Sequence, residues 1–178
     1  MKKTILVLVA VFLLASGVYF GWTTKNALAG EGEKILAFDT MVGVPRPYTG
    51  SDNAIRGVGG GGLPWVIESG KGKLKANGDL DVMVNGLVFD PNDQAVIDAG
   101  LAGMNTIPAF RAIVSCLSVD GSGDATTVNL LTDPFPATTG LGAGDAVISA
   151  HVDLPDPCIA PIIFVTSPGG SWFASTGF

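Results

Sequence analysis

Gly70-Lys71-Gly72-Lys73-Leu74-Lys75-Ala76-Asn77-Gly78-Asp79-Leu80-Asp81-Val82-Met83-Val84-Asn85-Gly86-Leu87-Val88 alternates polar and apolar residues on both sides of an Asn-Gly pair. Such alternation around such a pair specifies a β-hairpin. A two-residue Asn77-Gly78 turn would set Leu74 opposite Asp81 and Lys75 opposite Leu80. The two apolar stripes would then lie on opposite faces, which defeats the hairpin. A three-residue loop of Ala76, Asn77 and Gly78, with Gly78 left-handed, sets Leu74 opposite Leu80 and Gly72 opposite Val82. Lys75 then meets Asp79 and Lys73 meets Asp81 on the other face, so both faces agree. The lysines are thereby sheet partners of aspartates, not a basic binding patch.

Downstream, five further segments read as strands: Phe110 to Val119, Ala125 to Leu131, Ala146 to Leu154, Ile159 to Thr166 and Trp172 to Ser175. In the first, Phe110, Ala112, Val114 and Cys116 share one face; in the third, Ile148, Ala150, Val152 and Leu154 face inward, with Ser149, His151 and Asp153 outward. Asp120-Gly121-Ser122-Gly123-Asp124 and Ser167-Pro168-Gly169-Gly170 are turn sequences. Short strands at regular spacing with such turns predict an all-β protein: an antiparallel β-sandwich, immunoglobulin-like or jelly-roll-like Greek key. The long connection from Asp90 to Ala109 holds a short helical turn at Gln94 to Ala99. Connections of that length often bind ligands, but a plain crossover between sheets is the commoner use.

Upstream, residues 30–62 read as an N-terminal arm and glycine-rich linker that contributes at most an edge strand, because Pro45 and Pro47 remove backbone donors. Residues 63–178 are then the β-sandwich domain. Gly57-x-Gly59-x-x-Gly62 matches the dinucleotide fingerprint, but that motif needs a following helix whose N-terminus holds pyrophosphate. Leu63-Pro64-Trp65-Val66-Ile67 starts a strand instead. The glycines fit a hinge, or backbone passing close to another strand.

Met1-Lys2-Lys3, the uncharged apolar run Thr4 to Trp22 and Ala27-Leu28-Ala29 have the order of a secretory signal, with cleavage expected after Ala29. Retention of residues 4–22 as a membrane anchor is the alternative. The whole chain carries a net charge of −6; without residues 1–29 there are 7 basic against 16 acidic residues, a net charge of −9. That sign argues against nucleic acid as a partner, and the membrane is a partner only if the leader is retained. In an oxidising compartment Cys116 and Cys158 are expected to form one structural disulfide.

No cluster in the sequence carries a catalytic signature. A serine hydrolase would need the single histidine, His151, but Ser149, His151 and Asp153 are neighbours on one strand face, about 6.5 Å apart. No G-x-S-x-G elbow is present. Calcium is the metal that suits the composition, with candidate ligands Asp90, Asn92 and Asp93 in one turn and Asp120 and Asp124 in another; neither completes an EF-hand loop. Trp65 and Trp172 suit a sugar-binding face by type, although core packing is the commoner fate. The expected function is that of a secreted or cell-surface module acting by binding or assembly, with an unidentified protein or glycan at the cell exterior as partner. The alternative is an extracellular hydrolase using Asp or Glu carboxylates. The apolar ending Ser171 to Phe178 suits a terminal strand, or pairing with a second copy.

Overall fold

The computed structural model describes residues 32–176, so the expected signal segment lies outside the described residues. The chain is all-β with several antiparallel sheets. The longer strands are β1 (Lys34–Phe38), β4 (Ser69–Lys75), β5 (Asp79–Asn85), β8 (Ala109–Val119), β9 (Ala125–Leu131), β12 (Ala146–His151), β13 (Ile159–Thr166) and β14 (Trp172–Ser175). Two-residue strands lie between them: β2 (Val42–Gly43), β3 (Trp65–Val66), β6 (Val88–Phe89), β7 (Met104–Asn105), β10 (Phe135–Pro136) and β11 (Gly140–Leu141). One short helix, α1 (Gln94–Asp98), is capped by the Asp93 carboxylate, which accepts from the amides of Ala95 and Val96.

A four-stranded sheet has the order β1-β4-β5-β12. Its centre is the hairpin in the three-residue-loop register, with Leu74 opposite Leu80, Lys73 opposite Asp81 and Gly72 opposite Val82. Gly78 sits at φ +93° and donates to the Lys75 carbonyl, closing the loop. Residues 34–38, read as part of an irregular arm, add β1 to the outer side of β4, with Phe38 opposite the side-chain-free Gly72. The β5 run stops at Asn85 because Gly86 turns left-handed at φ +60°, and Val88–Phe89 pairs with β3 instead.

The six-stranded sheet has the order β10-β8-β13-β14-β2, with β9 on β8. One buried cluster joins Leu74, Leu80, Val82 and Ile148 of the first sheet to Phe110, Ala112, Val114, Ile163 and Val165 of the second. The strand β8 is buried on both faces over its middle, because Ile113 and Ser115 on its second face are also covered. The covering chain includes residues 55–61: the Arg56 guanidinium donates to the Ser115 carbonyl, Gly61 donates to Trp172, and Trp172 donates to Gly59. The glycine run is therefore close-approach backbone. A β-carbon on Gly60 would fall on the Tyr48 carbonyl, and one on Gly61 would press on the Phe173 ring.

The Cys116–Cys158 disulfide is present and ties β8 to the residue before β13, so it staples neighbouring strands of one sheet. Just beyond it, β13 bulges between Ile159 and Ile162, and Ala160 adopts φ +46°. A left-handed residue with a β-carbon costs about 1–2 kcal/mol, and glycine's greater unfolded-state freedom takes back about 0.5–1 kcal/mol. Ala160→Gly is accordingly expected to stabilise the protein by roughly 0.5 kcal/mol, read by calorimetry as a rise in Tm of about 2 °C.

Candidate functional site

The polar face of the four-stranded sheet brings the single histidine together with two aspartates, two lysines and a serine. Pairing of β12 with β5 sets Ser149 opposite Asp81 and His151 opposite Asp79. The Ser149 hydroxyl donates to Asp81 at 2.8 Å, and His151 Nδ1 lies 3.2 Å from Asp79 Oδ1. Lys73 and Lys75 complete the rows, each 3.2 Å from Asp81 and Asp79 respectively. Lys75, Asp79, Asp81, Ser149 and His151 line a shallow, open recess of about 350 Å³.

The two carboxylates in this recess are held ionised. Hydrogen bonds from Asn77 and from His151, and then from Lys75, push Asp79 from its ordinary 3.8 down to about 2. The hydrogen bond from Ser149, aided by Lys73 and opposed by slight burial, lowers Asp81 as well. A glycosidase of the paired-carboxylate kind needs one acid raised towards neutrality so that it can donate a proton. Both shifts here run the other way. Nor is the serine activated: its hydroxyl is committed to Asp81 and not to His151, and His151 is shared between Asp79 and the more distant Asp153.

A depressed folded-state pKa stabilises the native state above the unfolded value, and that contribution is lost as pH falls through the folded value. Asp79 is therefore expected to contribute fully above about pH 4 and to lose its contribution between pH 4 and pH 2. In Asp79→Asn the melting temperature should fall less steeply over that window than in the wild type, and equal slopes in the two proteins would contradict the assignment.

The turns proposed for calcium are held by internal hydrogen bonds. Asp90 accepts from the Asn92 amide; Asp120 accepts from the amides of Ser122 and Asp124. Asp93 caps α1 and forms a two-point ion pair with Arg46 at 2.8 and 3.1 Å, which lowers its pKa and raises that of the arginine. Among the described residues no three His, Cys, Asp or Glu side chains converge on a common point. The connection between β6 and β8 carries α1 and β7, with Val96 buried and β7 paired to β11.

Trp65 and Trp172 are 2% and 1% exposed, so neither presents a platform to a sugar. Trp65 stacks on Phe173 and lies against Phe89, each with centroids 4.1 Å apart. The ending 172–175 is strand β14, flanked by β13 on one side and β2 on the other, which leaves it no free side for a second copy.

Among the described residues, β9 forms an open edge of the six-stranded sheet. Thr132 donates to the Ala112 carbonyl and Asp120 to the Asp124 carbonyl, which fixes the phase of the β8–β9 ladder. With Cys116 opposite Val128, the main-chain groups of Thr126, Val128 and Leu130 point at β8. Those of Ala125, Thr127, Asn129 and Leu131 point away from the sheet, where no other strand among the described residues pairs with β9. The strand Ala-Thr-Thr-Val-Asn-Leu-Leu carries no charge, proline or glycine, the usual devices that blunt an edge. Elsewhere such devices are present: β1 has Lys34 and a bulge, β2 is two residues long, and β12 is bridged at Ala146 by Ala137. On the outer face beside β9, Leu117, Val119, Leu131 and Ile159 are 40–54% exposed. Nothing in the sequence marks β9 as an edge, since edge position depends on the order of strands in the sheet.

No transmembrane-length apolar helix occurs among the described residues, and comparison with known proteins finds no matching family, curated relative or solved structure.

Proposed function

We propose that the chain is an exported β-sandwich module, of immunoglobulin-like or jelly-roll-like topology, that works at the cell exterior by binding or assembly and performs no chemistry of its own. The observation that carries this reading is the uncharged, unblunted edge of β9 with its fringe of exposed apolar side chains. Strand addition to such an edge supplies affinity through main-chain bonds and specificity through the alternate side chains. Two further features support it. The disulfide is compatible with an extracellular location, and a core shared by the two large sheets is what a sandwich requires.

The test replaces Thr127, whose N–H points out of the sheet, by proline. This removes an outward donor while leaving the ladder to β8 intact. Native separation of the cell-exterior fraction should show the wild-type chain in a complex and Thr127→Pro released from it. Identical migration of the two would contradict binding through this edge, and recovery of the chain only from the cytosol would contradict export.

The second reading, an extracellular hydrolase, draws on the recess that holds Asp79 and Asp81. Turnover of a panel of glycosides and esters, abolished in both Asp79→Asn and Asp81→Asn, would favour it over the binding module. The downward shift of both carboxylates weighs against it.

A further inference from the structure

We infer that the strand that completes the β9 edge is β9 of a second copy of this chain, paired antiparallel about a twofold axis at Val128. The inference rests on the binding reading above and names its partner. Under a twofold axis, residue i of one copy meets residue j of the other with a constant sum. The outward-pointing residues are Ala125, Thr127, Asn129 and Leu131. Centring on Val128 joins Ala125 to Leu131 and Thr127 to Asn129, and it is the register that gives every outward group a partner. Each of these is a hydrogen-bonded pair, so the seam gains about eight main-chain bonds.

The same register aligns the apolar fringe, an independent feature of the surface. Val119 lies opposite Ala125 within one copy, and the seam continues that row with Leu131, Ile113 and Phe164 of the second copy. Leu131, 49% exposed, thereby gains Ala125 of the other copy as its neighbour across the seam, with Val119, 48% exposed, next in the row at both ends. In the next row Leu117 and Thr127 continue into Asn129 and Ser115 of the other copy.

Charge does not oppose a like copy along the seam itself. A chain with net charge −6 repels its own kind over most of its surface, but β9 brings no charge to the seam. Acids lie only beyond its ends, at Asp124 and Asp133, and each Asp124 comes near Asp133 of the other copy. Association should therefore strengthen as salt screens these pairs. A seam of seven residues is small for a specific interface, below about 1,200 Å² in total, so the dimer should dissociate on dilution.

The experiment is light scattering of the purified, disulfide-intact chain across a wide concentration range, at low and high salt. The wild type should pass from monomer to dimer, at lower concentration in high salt. Thr127→Pro, checked to melt as the wild type does, should remain monomeric. Register is tested separately by Thr126→Cys and Leu130→Cys, which become direct neighbours across the seam. Two copies of either variant alone would hold their thiols about 13 Å apart, beyond the roughly 7 Å limit for bridging. Mild oxidation should therefore yield a covalent dimer from the mixture and not from either variant by itself. A monomer at every concentration, a dimer that survives Thr127→Pro, or crosslinking of a single variant would each overturn the inference. If the purified chain stays monomeric while the cell-exterior fraction still holds a complex sensitive to Thr127→Pro, the second copy is wrong and the binding reading stands. If that complex is missing too, both fail.

Discussion

Replacing both cysteines by alanine is expected to cost about 4 kcal/mol of stability, the chain-entropy value for a cross-link spanning 42 residues. For a chain of this size that is a fall in Tm of roughly 10–15 °C. The position of the bridge explains why the native state should not recover the loss by repacking. Cys116 is fully buried on the core face of β8, and its partner holds the start of β13 where a bulge interrupts the ladder. Without the bond, Ile159 to Ile162 depends on an interrupted ladder, and the left-handed Ala160 no longer has a covalent constraint behind it. Calorimetry of the double variant in the absence of reductant checks the value. A loss below about 1 kcal/mol would mean that the unfolded chain is not the state the bridge restrains.

Trp65→Ala should be comparably damaging, at about 3–5 kcal/mol, because it leaves a cavity that its neighbours cannot close. The indole lies between Phe89 and Phe173, and Phe173 in turn meets the edge of Phe110 at 5.9 Å. Removing it undermines an aromatic chain that reaches into the centre of the core. The backbone beside it has no slack, since the place of a β-carbon on Gly43 is already taken by the Trp65 carbonyl. Trp65→Phe, which retains stacking, should restore more than half of the loss. Chemical denaturation of the three proteins gives the comparison. A sugar-binding tryptophan would behave in the opposite way, with little effect on stability and a loss of ligand.

The hairpin was legible because its loop length and its two-residue period had to agree: only one of the two loop lengths put Leu74, Leu80 and Val82 on the same face. Strands β8, β9, β13 and β14 were legible for a related reason, each being a run of β-branched or apolar residues bounded by Gly, Pro or Asp turns. The third expected strand ends at His151, short of Leu154, because its partner β5 begins at Asp79: Val152 still donates to the Gly78 carbonyl in the same register, and the hairpin loop offers no strand beyond it.

The two-residue strands were not legible. Val42–Gly43, Phe135–Pro136 and Gly140–Leu141 are too short to show a period, and only the strands they meet define them. The second face of β8 was missed on similar grounds. Ile113 and Ser115 are buried by a segment more than fifty residues earlier, whose glycines gave close approach without saying to what. The polar recess depends on β12 lying beside β5, which is again a long-range fact. Disulfide pairing was legible from a count of two.

Site-resolved hydrogen exchange across β9 distinguishes a free edge from a paired one. In dilute protein the amides of Thr126, Val128 and Leu130 should be protected by β8, and those of Thr127, Asn129 and Leu131 should exchange freely. When the chain is concentrated, or recovered in its complex from the cell exterior, the second set should become protected while the first is unchanged. The account is contradicted if the second set stays unprotected in every complex the chain forms, or is already protected in the dilute monomer.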